Sequence, residues 1–225
     1  MNSPFGPNRL AGRHDLVFVN RNGWRALLAT RDDLTIDPLA VRWPEEGWPV
    51  IRRRAMPGEF AGVPLGLPLP PSAGKRRLSF LLQWHDISAI ARPPSLSSAI
   101  GSAPRAWRPT LERLDKLALH YSADARVFGS LAWQALTGLD YLSDRSDLDL
   151  LLDVNRDIDL DGLAAAIAEI EANAPMRLDG ELMREDGAAV NWREFHAGVG
   201  DVLVKSIDGV GLLDRDLFVS GTALS

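Results

Sequence analysis

The chain has 225 residues, of which 46% are hydrophobic and 24% charged, enough to bury a sizeable core in one large domain or two small ones. It contains no cysteine, which excludes disulfides, thiolate metal sites and a cysteine nucleophile and makes a reducing cytoplasm the expected setting. No apolar run approaches the roughly 18 residues that span a bilayer, and MNSPFGPNRLAGRHD at the start lacks the apolar core of a secretory signal. The net charge of −5 conceals an asymmetry: residues 1–108 hold 15 Lys and Arg against 8 Asp and Glu, whereas residues 109–225 hold 10 against 22. The split fits a basic region that attracts a polyanion and an acidic region that concentrates carboxylates for a metal; two ordinarily solvated surfaces would read the same. An acidic half repels a phosphate backbone, so no nucleic-acid partner is expected, and neither is a membrane.

In chain order, His14–Asn20, Pro49–Arg53 and Leu78–Gln83 have the pattern of short strands. Between the last two, VPLGLPLPPSAGKRR is rich in proline and glycine and reads as a loop or an edge element. Prolines 93, 94, 104 and 109 mark a break, and the domain boundary is placed there, giving a small β-rich domain over 1–105 and a second domain over 106–225. Thr110–Tyr121 has Leu111, Leu114, Leu117 and Tyr121 at helical spacing. Arg126–Phe128 is a short strand that enters Gly129-Ser130 and a following helix. Leu148, Leu150, Leu152 and Val154 alternate with Asp147, Asp149, Leu151 and Asp153 in strand fashion. Leu160–Asn173 is a helix. Met176–Arg184 and Ala189–Phe195 flank an Asp186-Gly187 turn as an antiparallel hairpin, and Asp201–Ser206 is a further strand. The order implies an α+β fold whose second domain has a mixed sheet flanked by helices.

Asp147 and Asp149 leave the same face of their strand, about 6.5–7 Å apart at the backbone, a separation from which two carboxylates can converge on one hard cation. Magnesium suits such oxygen ligands and keeps positions for substrate phosphates. Gly129-Ser130 lies between an apolar strand and a helix, where backbone N–H groups and the positive helix end can hold a phosphate. Asp-x-Asp also occurs on solvated edge strands, so it is the combination that points to phosphate chemistry.

A strand, Gly-Ser and a helix followed by a strand with Asp-x-Asp resembles the signature of the polymerase-beta-like nucleotidyltransferases. Sixteen residues separate Ser130 from Asp147, more than is usual there, and point to a particular branch. VFGSLAWQALTGLDYLSDRSDLDLL at 127–151, with RHDLVFV at 13–19, RLDGELMREDGAAVNWREF at 177–195 and VLVKSIDGVGLL at 202–213, resembles the holo-acyl-carrier-protein synthases of malonate decarboxylase, the phosphoribosyl-dephospho-CoA transferases. The resemblance implies transfer of a triphosphoribosyl-dephospho-CoA group onto a serine of the apo acyl-carrier subunit of malonate decarboxylase, with release of pyrophosphate. It places the family's essential acids on Asp147 and Asp149, with magnesium as their metal, and the phosphate-gripping pair on Gly129 and Ser130. A third acid is expected from a neighbouring strand, with Asp179 preferred to Glu181 for its shorter side chain, and Asp153 is read as structural. Asp179 would be a metal ligand or would take the serine proton.

Other candidates have two readings each. Arg53, in the cluster Arg52-Arg53-Arg54, is assigned to substrate phosphates, although alternation lets at most two of the three converge. Lys75-Arg76-Arg77 is equally a clamp or a solvated turn. His14 either contacts substrate or pins a turn. Lys205 either contacts a phosphate, the preferred reading, or neutralises nearby acids. The four histidines, 14, 85, 120 and 196, have no zinc spacing. The alternatives to this function are another nucleotidyltransferase, one that attaches AMP to a protein or modifies an RNA end, and a non-catalytic carrier-binding module.

Overall fold

Strands in this chain form where β-branched and leucine residues alternate, and glycine and proline set their limits. A computed structural model of the chain describes residues 12–59, 61–198 and 200–221. Residues 1–11, read above for a secretory signal, lie outside the described residues. The chain divides into two compact units between Arg92 and Pro93, upstream of the boundary expected from the proline count.

The first unit runs β1 (Leu16–Val19), α1 (Arg21–Thr30), α2 (Asp32–Thr35), α3 (Pro38–Arg42), β2 (Val50–Arg52), β3 (Val63–Pro68), β4 (Arg77–Leu82) and β5 (Ile87–Ala91). Its five strands form one antiparallel sheet in the order β4-β3-β2-β1-β5. The helix α1 was not foreseen. Asn20 caps it by accepting from the Gly23 N–H, and Trp24 on its buried face meets Phe80 of β4 with ring centroids 6.0 Å apart. The segment expected to be a loop or edge holds β3, an inner strand. The β2–β3 ladder pairs only Ile51 with Gly66 and Arg52 with Leu65, so neither Pro64 nor Pro68 has to donate to β2. Pro64 instead serves through its carbonyl, which accepts from the Arg53 N–H at 3.1 Å.

The second unit runs α4 (Leu96–Ala99), α5 (Arg108–His120), β6 (Asp124–Val127), α6 (Gly129–Thr137), β7 (Leu148–Val154), α7 (Leu160–Glu171), β8 (Leu178–Arg184), β9 (Ala189–Asn191), α8 (Trp192–Ala197), β10 (Asp201–Lys205), β11 (Val210–Asp214) and α9 (Arg215–Ser220). Its six strands follow the order β11-β10-β9-β8-β7-β6, with β7 and β8 parallel and every other pair antiparallel. The protein is therefore α+β, with an antiparallel first sheet and a mixed second one. The expected helices and strands around the Asp-x-Asp motif are present within a few residues of their limits. The second arm of the hairpin differs: after Asn191 the chain turns helical. Asn191 caps α8, and Trp192 and Phe195, three apart, are both buried, which is helical rather than strand spacing.

The core of the second unit gathers Leu148, Leu150 and Leu152 of β7 with Leu178 and Leu182 of β8, Leu111 and Leu114 of α5, and Leu163 and Ile167 of α7. Each such leucine contributes roughly 1.5–3 kcal/mol by burial, and together they fix which face of β7 turns inward. The intervening residues Asp149 and Asp153 are thereby held on the opposite face. Among the described residues no helix is long and apolar enough to cross a membrane.

In the first unit the Arg53 guanidinium grips Glu59 with two hydrogen bonds, 2.6 and 2.7 Å, and holds its carboxyl down to about 2, with help from the Met56 N–H. A depressed carboxyl pKa adds stability that is fully present above the ordinary value near 4.5 and is lost as pH falls toward 2. A carboxyl-carbon NMR titration is expected to find Glu59 titrating near pH 2, and Arg53→Gln to return it to the usual range. A normal Glu59 titration in the unaltered chain would remove this ion pair from the account of the first unit.

Candidate active site

Three chain segments bring the acidic end of the second sheet together: the turn from β6 into α6 and the N-terminal ends of β7 and β8. Because β7 and β8 are parallel, their starts lie side by side, with Leu148 opposite Leu178 and Asp149 opposite Asp179. Residues directly opposite put their side chains on one face, so Asp149 and Asp179 project together. The Leu148 N–H donates to the Arg177 carbonyl at 2.9 Å, which closes the ladder and leaves Asp147 at its mouth, just ahead of β7. All three carboxylates are half-buried.

Gly129 approaches Asp149 more closely than any other residue type could. Its φ is +61°, and a Cβ built there would lie 1.7 Å from Asp149 Oδ2. The Phe128 N–H donates to the Asp149 carbonyl at 3.0 Å, fastening the turn to the strand. The Asp149 carboxylate thus sits against the start of α6, where the helix end favours negative charge. Phe128, the residue that starts α6, offers no side-chain acceptor to its first turn, whose N–H groups, that of Ser130 among them, point toward the site where a phosphate could accept from them.

The backbone before Asp179 is fixed from several sides. The Leu178 N–H donates to Glu171 Oε1 at 2.8 Å, and the Leu178 carbonyl accepts from Trp192 Nε1 at 3.0 Å and from the Arg193 guanidinium at 2.7 Å. Arg193 also pairs with Glu171 and stacks on Trp192, 4.6 Å from its ring centroid. Asp179 Oδ1 accepts from Asn191 Nδ2 at 3.0 Å, while Asn191 Oδ1 caps α8 through the Arg193 N–H. Sequence reasoning missed Asn191. The tight Asp186-Gly187 turn, which sets Asn191 opposite Glu181, was the signal that could have found it.

The neighbouring acids have other surroundings. Glu181 is 6% exposed, with Lys205 Nζ 3.6 Å away. Asp153 lies 3.9 Å from Arg126 Nε, and Arg126 also grips Asp124. In the first unit, Arg53 donates to Glu59 and to the carbonyls of Arg54 and Leu65. His14 occupies a left-handed position, φ 72°, in the turn closed by the Asp15 N–H donating to the Gly12 carbonyl.

Among the described residues no three His, Asp or Glu side chains are disposed to hold a metal ion as they stand. In kind, the donors at this end of the sheet fit a hard cation: Asp147, Asp149 and Asp179 offer carboxylate oxygens only, with a glycine cradle alongside that any Cβ would fill.

Family models describe both parts of the chain. Residues 12–93 match the N-terminal domain, and residues 95–216 the C-terminal domain, of phosphoribosyl-dephospho-CoA transferase MdcG. The chain belongs to the phosphoribosyl-dephospho-CoA transferase family. It is accordingly an enzyme of group transfer. It is 61% identical over 214 residues to the phosphoribosyl-dephospho-CoA transferase of Bradyrhizobium diazoefficiens, covering 95% of each chain. It is 37% identical over 208 residues to that of Xanthomonas euvesicatoria, covering 92% of this chain and 95% of the relative. Identity to that of Azotobacter vinelandii is 30% over 190 residues, covering 79% of this chain and 86% of the relative. No solved structure matches the chain significantly.

The cradle makes a sharp prediction for this transferase. Gly129→Ala puts a methyl group into the Asp149 carboxylate and adds roughly 1–2 kcal/mol of left-handed backbone strain. A displacement of about an ångström at a reacting centre costs on the order of 100-fold in rate, and a loss of that size is expected while circular dichroism stays native. Near-normal transfer by Gly129→Ala would show that Asp149 does not depend on the close approach. Lys205→Met, by removing the cation beside buried Glu181, is expected to cost roughly 1–2 kcal/mol, a buried-pair penalty reduced for the partial exposure of the lysine. The double variant Lys205→Met/Glu181→Gln should recover most of the melting temperature, and no recovery would separate the two residues.

Proposed function

We propose that the chain transfers the triphosphoribosyl-dephospho-CoA prosthetic group to a serine of the apo acyl-carrier subunit of malonate decarboxylase, in the cytoplasm. The serine oxygen forms a bond to the α-phosphorus of the donor, the bond from that phosphorus to the pyrophosphate oxygen breaks, and the serine loses its proton. The product is a phosphodiester, and pyrophosphate leaves. The observation that carries this reading is the Asp149 carboxylate lodged against Gly129 at the start of α6, with Asp179 in register beside it. A carboxylate pair next to the N–H groups that open a helix is suited to phosphoryl chemistry, which asks the protein chiefly for positioning and charge stabilisation.

In this reading the N–H groups at Gly129 and Ser130 and the Ser130 hydroxyl hold the donor phosphates. Asp147, Asp149 and Asp179 are the residues that would hold magnesium, which supplies neutralisation of the phosphate charge when bound. Asp179 is preferred to Glu181 as third acid because its partner, Asn191, is neutral, whereas Glu181 already has a cation nearby. It serves either as a ligand or as the acceptor of the serine proton. Lys205 and Arg53 are left out of the phosphate contacts, since each has an acidic neighbour of its own.

The test is an intact-mass measurement of apo-carrier incubated with the protein, the triphosphoribosyl-dephospho-CoA donor and magnesium. A mass increase equal to the phosphoribosyl-dephospho-CoA group, with stoichiometric pyrophosphate, is expected. Asp147→Asn and Asp149→Asn should each abolish it with the fold intact, and Asp179→Ala should cost far more than Asp153→Ala. An increase equal to AMP, or none at all, would replace this reading by one of the two alternatives.

A further inference from the structure

The stretch from α6 to β7 is long, with sixteen residues between Ser130 and Asp147, and it is held in place along its course. The Gln134 side chain of α6 reaches three backbone groups. It donates through Nε2 to the Ser102 carbonyl at 2.7 Å and accepts at Oε1 from the N–H groups of Tyr141 and Leu142, at 3.1 and 3.2 Å. The buried Tyr141 ring lies 6.4 Å from that of Trp133. Beyond Leu142 the chain makes a turn closed twice over. The Ser143 N–H donates to Ser146 Oγ at 2.9 Å, and the Ser146 N–H to the Ser143 carbonyl at 3.0 Å. Arg145 lies inside that turn, exposed, two residues ahead of Asp147.

A second arginine reaches the same place from the neighbouring strand. The Arg177 carbonyl accepts the Leu148 N–H at 2.9 Å, so Arg177 is next to Asp147 across the mouth of the β7–β8 ladder. Neighbouring strands lie about 4.8 Å apart, within easy span of an arginine side chain. Alternation puts Arg177 on the face of Asp179 and away from that of buried Leu178, and it too is exposed. Elsewhere in the second unit Arg126 is tied to Asp124, Arg184 to Asp186, Arg193 to Glu171 and Arg215 to Asp161. Among the described residues Arg145 and Arg177 have no ion-pair partner. Arg156 is equally exposed and unpaired, but it lies past the far end of β7. What distinguishes Arg145 and Arg177 is position, because they flank Asp147 from both strands.

Charge gives that position a use. Asp147, Asp149 and Asp179 together repel an incoming polyphosphate, and one divalent cation does not offset three carboxylates and the anion as well. Lys205 is already beside Glu181. Guanidinium groups suit phosphate, because their paired N–H groups match two of its oxygens. We propose that Arg145 and Arg177 bind the polyphosphate of the donor at the mouth of the β7–β8 ladder, on either side of Asp147. The identity of the ligand as the donor rests on the transferase reading; the anion-binding role of the two arginines does not. Backbone fixed by Gln134, Ser143 and Ser146 on one side and by Leu148 on the other sets where each side chain starts, and its exposure lets it close on the anion.

Inorganic pyrophosphate, titrated calorimetrically into the full chain in magnesium-containing buffer, tests the site directly. Saturable binding is expected, weakened about tenfold or more by Arg145→Gln and by Arg177→Gln, the scale of one lost charge-assisted contact. Arg156→Gln should leave it unchanged, and all three variants should keep the melting temperature of the unaltered chain. Absence of saturable binding, losses no larger than that of Arg156→Gln, or a loss confined to one of the two arginines would overturn the paired site. Should a variant fail to fold, phenylglyoxal labelling of the unaltered chain decides the matter. Pyrophosphate is expected to protect Arg145 and Arg177 but not Arg156, and equal labelling with and without it would refute the site. In the carrier-modification assay the two variants should raise KM for the donor more than they lower kcat. A chain that binds pyrophosphate through these arginines yet modifies no carrier would sink the transferase reading alone. Carrier modification that is as efficient in both variants as in the unaltered chain would sink this site alone.

Discussion

The close approach of Gly129 to Asp149 is the constraint on which the acidic end of the second sheet depends. Backbone at φ +61°, with no room for a Cβ beside Asp149 Oδ2, admits glycine alone without rearrangement. That contact ties two elements that do different work. The turn starts α6 and so supplies N–H donors, while the strand supplies carboxylates. Neither could move without the other, since the Phe128 N–H is bonded to the carbonyl of the very residue whose side chain fills the cradle.

What holds the cradle still is hydrophobic. Leu148, Leu150 and Leu152 are at most 2% exposed, and a rotation of β7 that turned Asp149 inward would expose all of them. At roughly 1.5–3 kcal/mol each, that penalty is comparable to the whole stability of an ordinary domain. The position of the catalytic candidates is therefore set by residues that take no part in chemistry. The parallel partner β8 repeats the device, with Leu178 and Leu182 buried and Asp179 between them on the outer face.

This logic explains what could be read from the sequence. Period-two alternation in LDLLLDV and the glycine before a helical run are local signals, so β7, α6 and the Gly129-Ser130 turn were legible together with their acids. The pairing of Asp149 with Asp179 was only partly legible, because strand order follows from tertiary packing of α7 against the sheet and not from any short motif. Proline misled at β3: its missing N–H matters only where a ladder bond is required, and the ladder to β2 is too short to require one at Pro64 or Pro68. Trp192 and Phe195 had the spacing of a helix inside what looked like a strand, and a window of so few residues cannot separate the two periods. Leu96 and Ala99, though flanked by prolines, are fully buried in the core of the second unit, so the chain divides at the first of those prolines.

Acids of near-identical chemistry are sorted here by their neighbours. Arg126 lies beside Asp153 and Lys205 beside Glu181, and a cation already in place competes with any other that would bind the same oxygens. Asp179 is oriented instead by the neutral amide of Asn191, which fixes the carboxylate without cancelling its charge. Asn191 is itself immobilised because its carbonyl oxygen caps α8. A hydrogen-bonded, rigid and still anionic carboxylate is what a hard cation needs from its surroundings. The contrast gives a physical ground, independent of side-chain length, for choosing Asp179 over Glu181. Several carboxylates of the second unit are paired with cations in the scaffold, and a neutral partner keeps Asp179 apart from them.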